Sequence, residues 1–331
     1  MEPAAPLEPV RPVIETRKGI SLRARLFVLF LRITLRPLMA LMPFTPRVLR
    51  YLYLVDVAAF FFVSPRGTRR RRVAFPRFRA EWVYGPGVRD SDRVILYFHG
   101  GGFMVAGLNT HRRMIARLSA AAGAPALSVA YRQLPEVNLT GTVADCVTAY
   151  RYLLEQGYRP EQIIVAGDSA GGFLSLAAPL QAIREGLPAP GGIVAISPLT
   201  DLDEAAKLLH ENLLLDAFIP GKRLGILREL LLGDLPPDPL YSPVNGALAG
   251  LPPVLIHVGS TEILRVDAEL MAERLGAAGV PTTLTLWDRQ PHVFQIFADL
   301  CPEGLASIAE IGAFVRAMPA TRAETAEADI A

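Results

Sequence analysis

Residues 163–178 read IIVAGDSAGGFLSLAA, and this stretch decides how the rest of the chain is interpreted. A short apolar run leads into a turn of small residues and then into a helix-forming segment, which predicts strand, sharp turn and helix. Ser169 has glycine two residues away on either side, so the turn can be too tight for bulky neighbours. Such a turn lifts the hydroxyl above the sheet, beside the N-terminus of the next helix. Because small-residue turns are common, the function of this segment depends on its partners elsewhere in the chain.

The composition is that of a globular protein. The chain has 331 residues, 51% apolar and 20% charged, enough for one large α/β domain with a smaller appendage. Its two cysteines, Cys146 and Cys301, form neither a disulfide framework nor a metal-ligand pattern, which favours a reducing compartment and predicts no metal site. The acidic, proline-rich start does not resemble a signal peptide, so we expect a cytoplasmic protein.

The N-terminal quarter is strongly basic. Residues 1–80 carry sixteen Arg and Lys against four Asp and Glu, whereas the remainder carries eighteen against twenty-eight. A disordered tail is predicted for residues 1–18, and helices are predicted at about 21–42 and 47–62. Arginines within the apolar stretch 26–42 argue against a membrane span. Two interpretations stay open: helices packed over the body with their arginines in solvent, or an amphipathic surface in peripheral contact with an anionic membrane.

Four consecutive arginines at positions 69–72 are predicted to lie in a solvated loop, followed by edge strands within 73–84. Arginines can bind phosphates, but neither aromatic interleaving nor a fold signature indicates nucleic acid. We therefore expect no nucleic-acid partner.

Strands alternate with helices through the rest of the chain. The predicted strands are 94–98, 126–130, 163–167, 192–197, 254–259 and 282–286, and the predicted helices include 143–156, 170–185, 267–278 and 303–318. This alternation predicts a doubly wound, mostly parallel sheet. A leucine-rich helical stretch, 201–233, falls between two strands, where an inserted lid would lie.

A glycine-rich segment, HGGGF at 99–103, follows the first of these strands. Three consecutive glycines cost backbone entropy, which indicates that the main chain approaches another group closely. In an acyl-transfer site that group is the oxyanion, and the amides of Gly101 and Gly102 can donate to it. The alternative is a plain turn. His99 is expected to hold the loop and not to act as a base.

A serine nucleophile needs a base, and the base needs an orienting acid; in folds of this type both follow on later loops. Of the five histidines, only His292 lies on a loop after a strand and downstream of a carboxylate candidate. Glu262, at the end of a predicted strand, is the preferred acid. Asp267 is the alternative, although we expect it to cap a helix, and Asp288 is a third choice. Asp168, beside the nucleophile, is expected to project away from the base.

Two paired motifs, HGGG at 99–102 and GDSAGG at 167–172, resemble those of the hormone-sensitive lipase family of α/β-hydrolases, in its bacterial esterase branch. Further similar segments are YRQLPE at 131–136, ISPLTDL at 196–202, LPP at 251–253 and PHVF at 291–294. The resemblance covers about 70–318 and implies an α/β-hydrolase fold with a helical cap. On this basis residues 1–66 form a tail and N-terminal cap segment, and 67–331 form the catalytic domain with a cap insertion at about 201–235.

The resemblance also implies a carboxylic ester hydrolase that needs no metal and no cofactor. Ser169 is then the nucleophile and His292 the base, and the amides of Gly101, Gly102 and Ala170 form the oxyanion hole. Family members usually carry aspartate at the acid position, where this sequence has Glu262.

The expected reaction hydrolyses short- to medium-chain esters through an acyl-enzyme on Ser169. Phe103 and Phe294 are predicted to line an apolar substrate pocket. Alternatives are a lipase, lactonase or amidase with the same triad, and a non-catalytic ligand-binding member of the fold. The expected partner is a small-molecule or lipid ester, and a homodimer is left open.

Overall fold

A nine-stranded sheet runs through the computed structural model, which describes residues 8–89 and 91–319. The strand order is β1-β9-β8-β7-β6-β4-β5-β3-β2. The strands are β1 (Val13–Arg17), β2 (Arg69–Ala74), β3 (Arg79–Tyr84), β4 (Val94–Phe98), β5 (Ala126–Ala130), β6 (Ile163–Asp168), β7 (Gly192–Ile196), β8 (Val254–Gly259) and β9 (Thr282–Trp287). Neighbouring strands are parallel except where β3 pairs with β2 and β5.

Helices cover both faces of this sheet. They are α1 (Leu22–Ile33), α2 (Leu35–Leu41), α3 (Pro46–Leu49), α4 (Tyr53–Ala58), α5 (Leu108–Ala122), α6 (Leu139–Glu155), α7 (Ala170–Arg184), α8 (Ala205–Leu209), α9 (Asn212–Leu215), α10 (Leu224–Leu232), α11 (Arg265–Ala277) and α12 (Pro302–Ala317). Short 3₁₀ turns span Ala59–Phe61, Pro160–Gln162, Gly221–Arg223, Pro239–Tyr241, Pro243–Asn245 and Phe294–Phe297.

The central strands are apolar on both faces because each face is covered. Along β4, Ile95 and Tyr97 pack with the side chains of α5 and α12, while Leu96 and Phe98 pack with those of α6 and α7. All five residues of β4 are buried, as expected for a strand of a parallel sheet between two helical layers. The predicted doubly wound, mostly parallel sheet is therefore confirmed.

The first strand differs from the sequence-based expectation. Residues 13–17 form β1, which pairs in parallel with β9, so the prediction of disorder over 1–18 is wrong there; residues 1–7 lie outside the described residues. The edge of β9 supplies backbone partners that a composition argument cannot foresee. At the end of β1, the Arg17 guanidinium donates to Glu310 over 2.7 Å.

The arginine run also differs from expectation. Residues 69–74 form β2, the edge strand, and not a loop. Arg69 lies over the ring of Tyr84 at 5.2 Å and Arg71 over that of Trp82 at 6.0 Å, directly across the β2–β3 pair. These cross-strand cation–π contacts explain why a charged run adopts a strand.

The long helices predicted near the N-terminus are broken into shorter ones. The helix expected over 21–42 divides at Thr34, whose hydroxyl bonds back to the Phe30 carbonyl at 2.7 Å. The helix expected over 47–62 becomes α3, α4 and a 3₁₀ turn, and the stretch 201–233 becomes α8, α9 and α10. Within the described residues, no helix combines the length and apolar character needed to cross a membrane.

Candidate active site

Ser169 stands at a sharp turn between β6 and α7. Its backbone has φ 54° and ψ −115°, a strained conformation for a residue with a side chain. A Cβ at Gly167 would lie 2.1 Å from the Gly171 carbonyl oxygen, and one at Gly171 would lie 1.9 Å from that of Phe98. The glycines around the serine are therefore required by close backbone contacts.

His292 and Glu262 lie beside this serine. The Nε2 atom of His292 is 2.8 Å from Ser169 Oγ, and its Nδ1 atom is 2.7 Å from Glu262 Oε2. Glu262 follows β8 and His292 follows β9, so adjacent parallel strands deliver the two side chains to the same edge of the sheet. Hydroxyl, imidazole and carboxylate thus form a continuous hydrogen-bonded chain.

The second carboxylate oxygen of Glu262 is held independently. It accepts from the Gly259 amide at 2.5 Å and from the Ser197 hydroxyl at 2.8 Å. Ser197 directly follows β7 and also accepts from the Val293 amide at 3.3 Å. Sequence reasoning gave Ser197 no role, although the residue lies at the end of a strand and within the family-like segment ISPLTDL at 196–202.

The charged groups around His292 raise the pKa of its imidazole. Burial alone lowers the pKa of His292, but the hydrogen bond and charge of Glu262, with a further contribution from Asp216, raise it above its usual value. Asp216 is buried in the segment between β7 and β8 and accepts from the Ile263 amide at 2.7 Å. Burial raises the pKa of Asp216 itself. Sequence reasoning did not identify this residue either.

The two alternative acids are directed elsewhere. Asp267 lies in the first turn of α11, where its carboxylate forms a 2.7 Å ion pair with Lys207 and accepts from the Thr200 amide. It does not occupy the N-cap position, which is Leu264. Asp288 pairs with the adjacent Arg289.

The glycine loop packs tightly behind the serine. A Cβ at Gly100 would lie 2.2 Å from Asp168 Oδ2, and one at Gly101 would lie 1.8 Å from the Val105 carbonyl oxygen. Gly101 and Gly102 both have positive φ, 117° and 59°. Only glycine fits the first two positions without displacing backbone or buried atoms.

The loop amides are free for a ligand. In the part of the chain that the structure describes, the amides of Gly101, Gly102 and Ala170 donate to no other protein group. The Ala170 amide belongs to the first turn of α7, where a helix leaves its N–H groups unpaired. These three donors are available to a developing negative charge.

Asp168 points away from His292, as expected, into a buried network. Its carboxylate accepts from Tyr97 Oη at 2.8 Å and the Gly100 amide at 3.1 Å, and it lies 3.2 Å from His111 Nε2. Burial opposes its ionisation, but the charge and hydrogen bond of His111 lower the pKa of Asp168 overall. The network therefore fixes the glycine loop against the residue preceding Ser169.

His99 holds the same loop from inside. Its Nδ1 atom donates to the Gly100 carbonyl over 2.7 Å, and its ring stacks on Tyr131 with 4.4 Å between centroids. Burial lowers the pKa of His99 to about 4, so the ring is neutral at pH 7. This is the structural role expected from the sequence.

The two phenylalanines predicted for the pocket are both fully buried. Phe103 packs edge-on against Phe173 of α7, and Phe294 packs against Trp287 at the end of β9. Phe218, which the sequence did not single out, has its ring centroid 5.4 Å from that of His292. It belongs to the segment between β7 and β8, so this segment brings an apolar ring to the imidazole.

Known proteins are similar to this chain over most of its length. A family described as having the alpha/beta hydrolase fold matches residues 95–296. The carboxylesterase/phospholipase LipF of Mycobacterium tuberculosis is 39% identical over 315 residues, covering 92% of this chain and 84% of its own. Esterase LipU of the same organism is 38% identical over 291 residues, covering 85% and 98%.

Solved structures of esterases and lipases also superpose on this chain. An esterase from the bacterial hormone-sensitive lipase family superposes with a TM-score of 0.81 at 37% identity, over 90% of this chain and 99% of that one. A hormone-sensitive lipase from a metagenome library superposes with a TM-score of 0.81 at 34% identity, over 91% and 99%.

Proposed function

Since this chain belongs to the bacterial hormone-sensitive lipase family of α/β-hydrolases and is an ester hydrolase, we propose that it cleaves carboxylic esters of short to medium acyl length through an acyl-enzyme on Ser169. The observation that carries the proposal is the hydrogen-bonded chain from Ser169 Oγ through His292 to Glu262, at 2.8 and 2.7 Å. The first distance allows the nucleophile to pass its proton to the base, and the second is a hydrogen bond by which the acid orients the base.

Acylation begins when Ser169 Oγ attacks the ester carbonyl carbon and gives its proton to His292 Nε2. The carbonyl oxygen becomes an oxyanion, which the amides of Gly101, Gly102 and Ala170 stabilise; each is worth about 2–4 kcal/mol of barrier. The carbon–oxygen bond to the alcohol then breaks, and His292 returns the proton to the departing alkoxide. Glu262 fixes the tautomer of the neutral imidazole before the attack and stabilises the imidazolium that forms.

Deacylation repeats the sequence with water. His292 takes a proton from the water as its oxygen attacks the acyl carbon, and the collapse of the second intermediate returns this proton to Ser169 Oγ. The carboxylic acid leaves and the enzyme is restored. In both half-reactions the transferred proton passes through His292.

The proposal is tested by replacing the nucleophile. Ser169→Ala is expected to abolish the burst of p-nitrophenol released from p-nitrophenyl butyrate, because no acyl-enzyme can form. Ser175→Ala is the matched control: this serine lies on the same helix, and its hydroxyl only donates to the Gly172 carbonyl. A burst that survives in Ser169→Ala refutes the assignment.

The expected acyl length rests on Phe218, whose ring centroid lies 5.4 Å from that of His292, and on the leucine-rich sequence between β7 and β8. A series of p-nitrophenyl esters from acetate to palmitate is expected to give the highest kcat/KM at short to medium length. A maximum at palmitate would contradict this expectation.

A lipid ester is the second candidate substrate. It is favoured by a row of exposed apolar side chains along α1 and by the name of the relative LipF, a carboxylesterase/phospholipase. Rates on monomeric esters and on emulsified long-chain lipids separate the two candidates, since a lipase gains activity once an interface forms.

A further inference from the structure

Helix α1 has apolar side chains on two opposite sides. Its inner side carries Ala24, Phe27, Val28 and Leu31, and the ring centroid of Phe27 lies 4.8 Å from that of Phe297 in the main body of the protein. The outer side carries Leu22, Leu26, Leu29, Phe30 and Ile33, which are 54–71% exposed. The spacing of three and four residues places these five on one face along the whole helix.

Arginines border this outer face. Arg23 on one side, and Arg25 and Arg32 on the other, are exposed and flank the apolar stripe, given 3.6 residues per turn. We call these eight residues of α1 the arginine-flanked face. Among residues 21–63 the sequence contains six arginines and a single acid, Asp56.

Asp56, the single acid of residues 21–63, makes no contribution to the surface charge of this region. Asp56 is buried, and its carboxylate accepts from the backbone amides of Asn109 and Thr110 at 2.9 Å each, at the start of α5. The exposed charge of this region is therefore entirely positive.

Further exposed apolar side chains follow along the chain. They are Leu38, Leu41, Tyr51, Tyr53, Leu54, Val55, Val57, Phe60, Phe61, Phe62 and Val63, between 49% and 82% exposed. Exposed apolar side chains in this number favour an interaction surface, whereas single exposed leucines do not.

We propose that the arginine-flanked face docks on the surface of an anionic lipid bilayer, with α1 lying in the plane of the interface. An apolar stripe bordered by arginines matches both layers of such a surface, the acyl chains below and the phosphates above. The twelve residues of α1 span about 18 Å, shorter than the hydrocarbon core of about 30 Å, so the helix lies along the interface.

The face is joined to the candidate active site. The Arg32 guanidinium donates to the Leu215 carbonyl over 2.7 Å, and that of Arg36 donates to the Leu213 carbonyl over 3.1 Å. The segment they hold leads within three residues to Phe218, which lies against His292. Docking therefore brings the bilayer beside the part of the chain that covers the imidazole. This inference goes beyond the proposed chemistry, because binding requires no acyl transfer.

Sedimentation of the full chain with vesicles tests the proposal. Binding is expected to vesicles of equimolar phosphatidylglycerol and phosphatidylcholine, weaker binding to phosphatidylcholine alone, and loss of the difference at high salt. Leu26→Gln/Leu29→Gln is expected to lower the partition coefficient about tenfold, because two interfacial side chains become polar. Ile183→Gln on α7, also exposed, is the apolar control and should leave binding unchanged.

The charge contribution is tested separately. Arg23→Gln/Arg25→Gln is expected to weaken binding to the anionic vesicles about 30-fold at low salt. Arg151→Gln/Arg184→Gln also removes two positive charges, from ion pairs with Glu185 and Asp238 elsewhere on the surface, and is expected to have little effect. All variants should hydrolyse soluble p-nitrophenyl butyrate at the wild-type rate. That result shows that the variants are folded. Since it also leaves the catalytic proposal intact, failure of membrane binding can be distinguished from failure of the catalytic proposal.

Equal sedimentation with anionic and neutral vesicles overturns the proposal. The proposal also fails if each control variant loses as much vesicle binding as the variant with which it is paired. A concentration-dependent dimer that Leu26→Gln/Leu29→Gln dissociates, with no vesicle binding, assigns the face to a second copy of the chain and also overturns it.

Discussion

Glu262, which we propose as the acid of the triad, stands where the resemblance to the family implies an aspartate. Its longer side chain spans from the Gly259 amide and the Ser197 hydroxyl at one oxygen to His292 Nδ1 at the other. Three donors of different origin therefore fix one carboxylate, and its orientation does not depend on the imidazole alone.

The charge of Glu262 can be removed while its shape is kept. Glu262→Gln is expected to lower kcat by about 10³–10⁴-fold, because the imidazolium loses its counter-charge and its tautomer is no longer fixed. Steady-state kinetics on p-nitrophenyl butyrate measure the effect. Glu273→Gln, on the exposed side of α11, is the control. A kcat within threefold of wild type would contradict a role for Glu262 as the acid.

The same variant has a predicted pH signature. His292 accepts a proton only when neutral, so activity rises as pH increases through its pKa, which lies above the usual 6.5. Glu262→Gln removes the hydrogen bond and charge that raise this pKa. The residual activity of the variant should therefore reach half its maximum at a lower pH than in wild type, measured from the profile of kcat/KM. An unchanged or higher midpoint would show that Glu262 does not act on the imidazole.

Sequence reasoning identified Ser169, His292 and Glu262 because each lies on a loop at the end of a predicted strand. It could not distinguish Glu262 from Asp267 with certainty, since the deciding feature is the ion pair with Lys207, sixty residues earlier. Ser197 was missed for the same reason: its partners lie in other loops.

At the scale of elements, the segment between β7 and β8 does more than cover the site. Asn212 of α9 donates from Nδ2 to the Glu262 carbonyl at 2.7 Å and to the Ser260 carbonyl at 3.0 Å. Four residues later, Asp216 accepts from the Ile263 amide. The inserted helices are thereby attached to the loop that carries the acid.

This attachment predicts the effect of Asn212→Ala. Two side-chain hydrogen bonds are lost, while the Glu262 and Ser260 carbonyls keep their bonds from Arg265. The loss is expected to cost about 2 kcal/mol of stability and to lower kcat about tenfold, as the acid loop becomes mobile. Urea unfolding and kinetics with a soluble ester measure both. Asn245→Ala, at an exposed position, should change neither. Full activity in Asn212→Ala would indicate that the acid loop is held without α9.

The regular elements of the sheet were predictable because buried parallel strands are continuous apolar runs, and β4 and β5 begin and end at the predicted residues. The ends of the N-terminal helices were not predictable, because the points at which the long helices break depend on local hydrogen bonds such as that from the Thr34 hydroxyl. The strand at 69–74 was missed because arginine runs favour loops unless aromatic residues lie opposite.

At the scale of the whole molecule, a buried ion pair joins α8 of the inserted segment to α11 of the main body. Lys207 is 1% exposed and donates to Asp267 at 2.7 Å and to the Asp201 and Asp203 carbonyls. Burial raises the pKa of Asp267 to about 6, although the charge and hydrogen bond of Lys207 act in the opposite direction.

Lys207→Met is expected to destabilise the fold by about 3–5 kcal/mol, because the Asp267 carboxylate stays buried without its cation. Without Lys207 the pKa of folded Asp267 rises further, while that of the unfolded chain stays near 4. The folded state then binds the extra proton, so stability falls as pH increases from about 4 through the folded pKa.

Urea unfolding at pH 5 and pH 8 checks this sign, with the larger loss expected at pH 8. Lys222, which is exposed, also lies in the segment between β7 and β8, and Lys222→Met should leave the free energy of unfolding unchanged at both pH values. A loss that is equal at pH 5 and pH 8 would mean that Asp267 does not carry the effect.

Because β1 pairs in parallel with β9, removing the N-terminal residues is expected to promote aggregation of the shortened protein. A version that starts at Gly19 would keep the entire region matched by the family, but it would uncover the hydrogen-bonding edge of Thr283–Trp287. It would also lose the Arg17 carbonyl that accepts from the Asp288 amide, at the start of the loop that ends in His292. An uncovered edge invites intermolecular strand pairing, so purification tags are better placed ahead of residue 8 than substituted for the first strand.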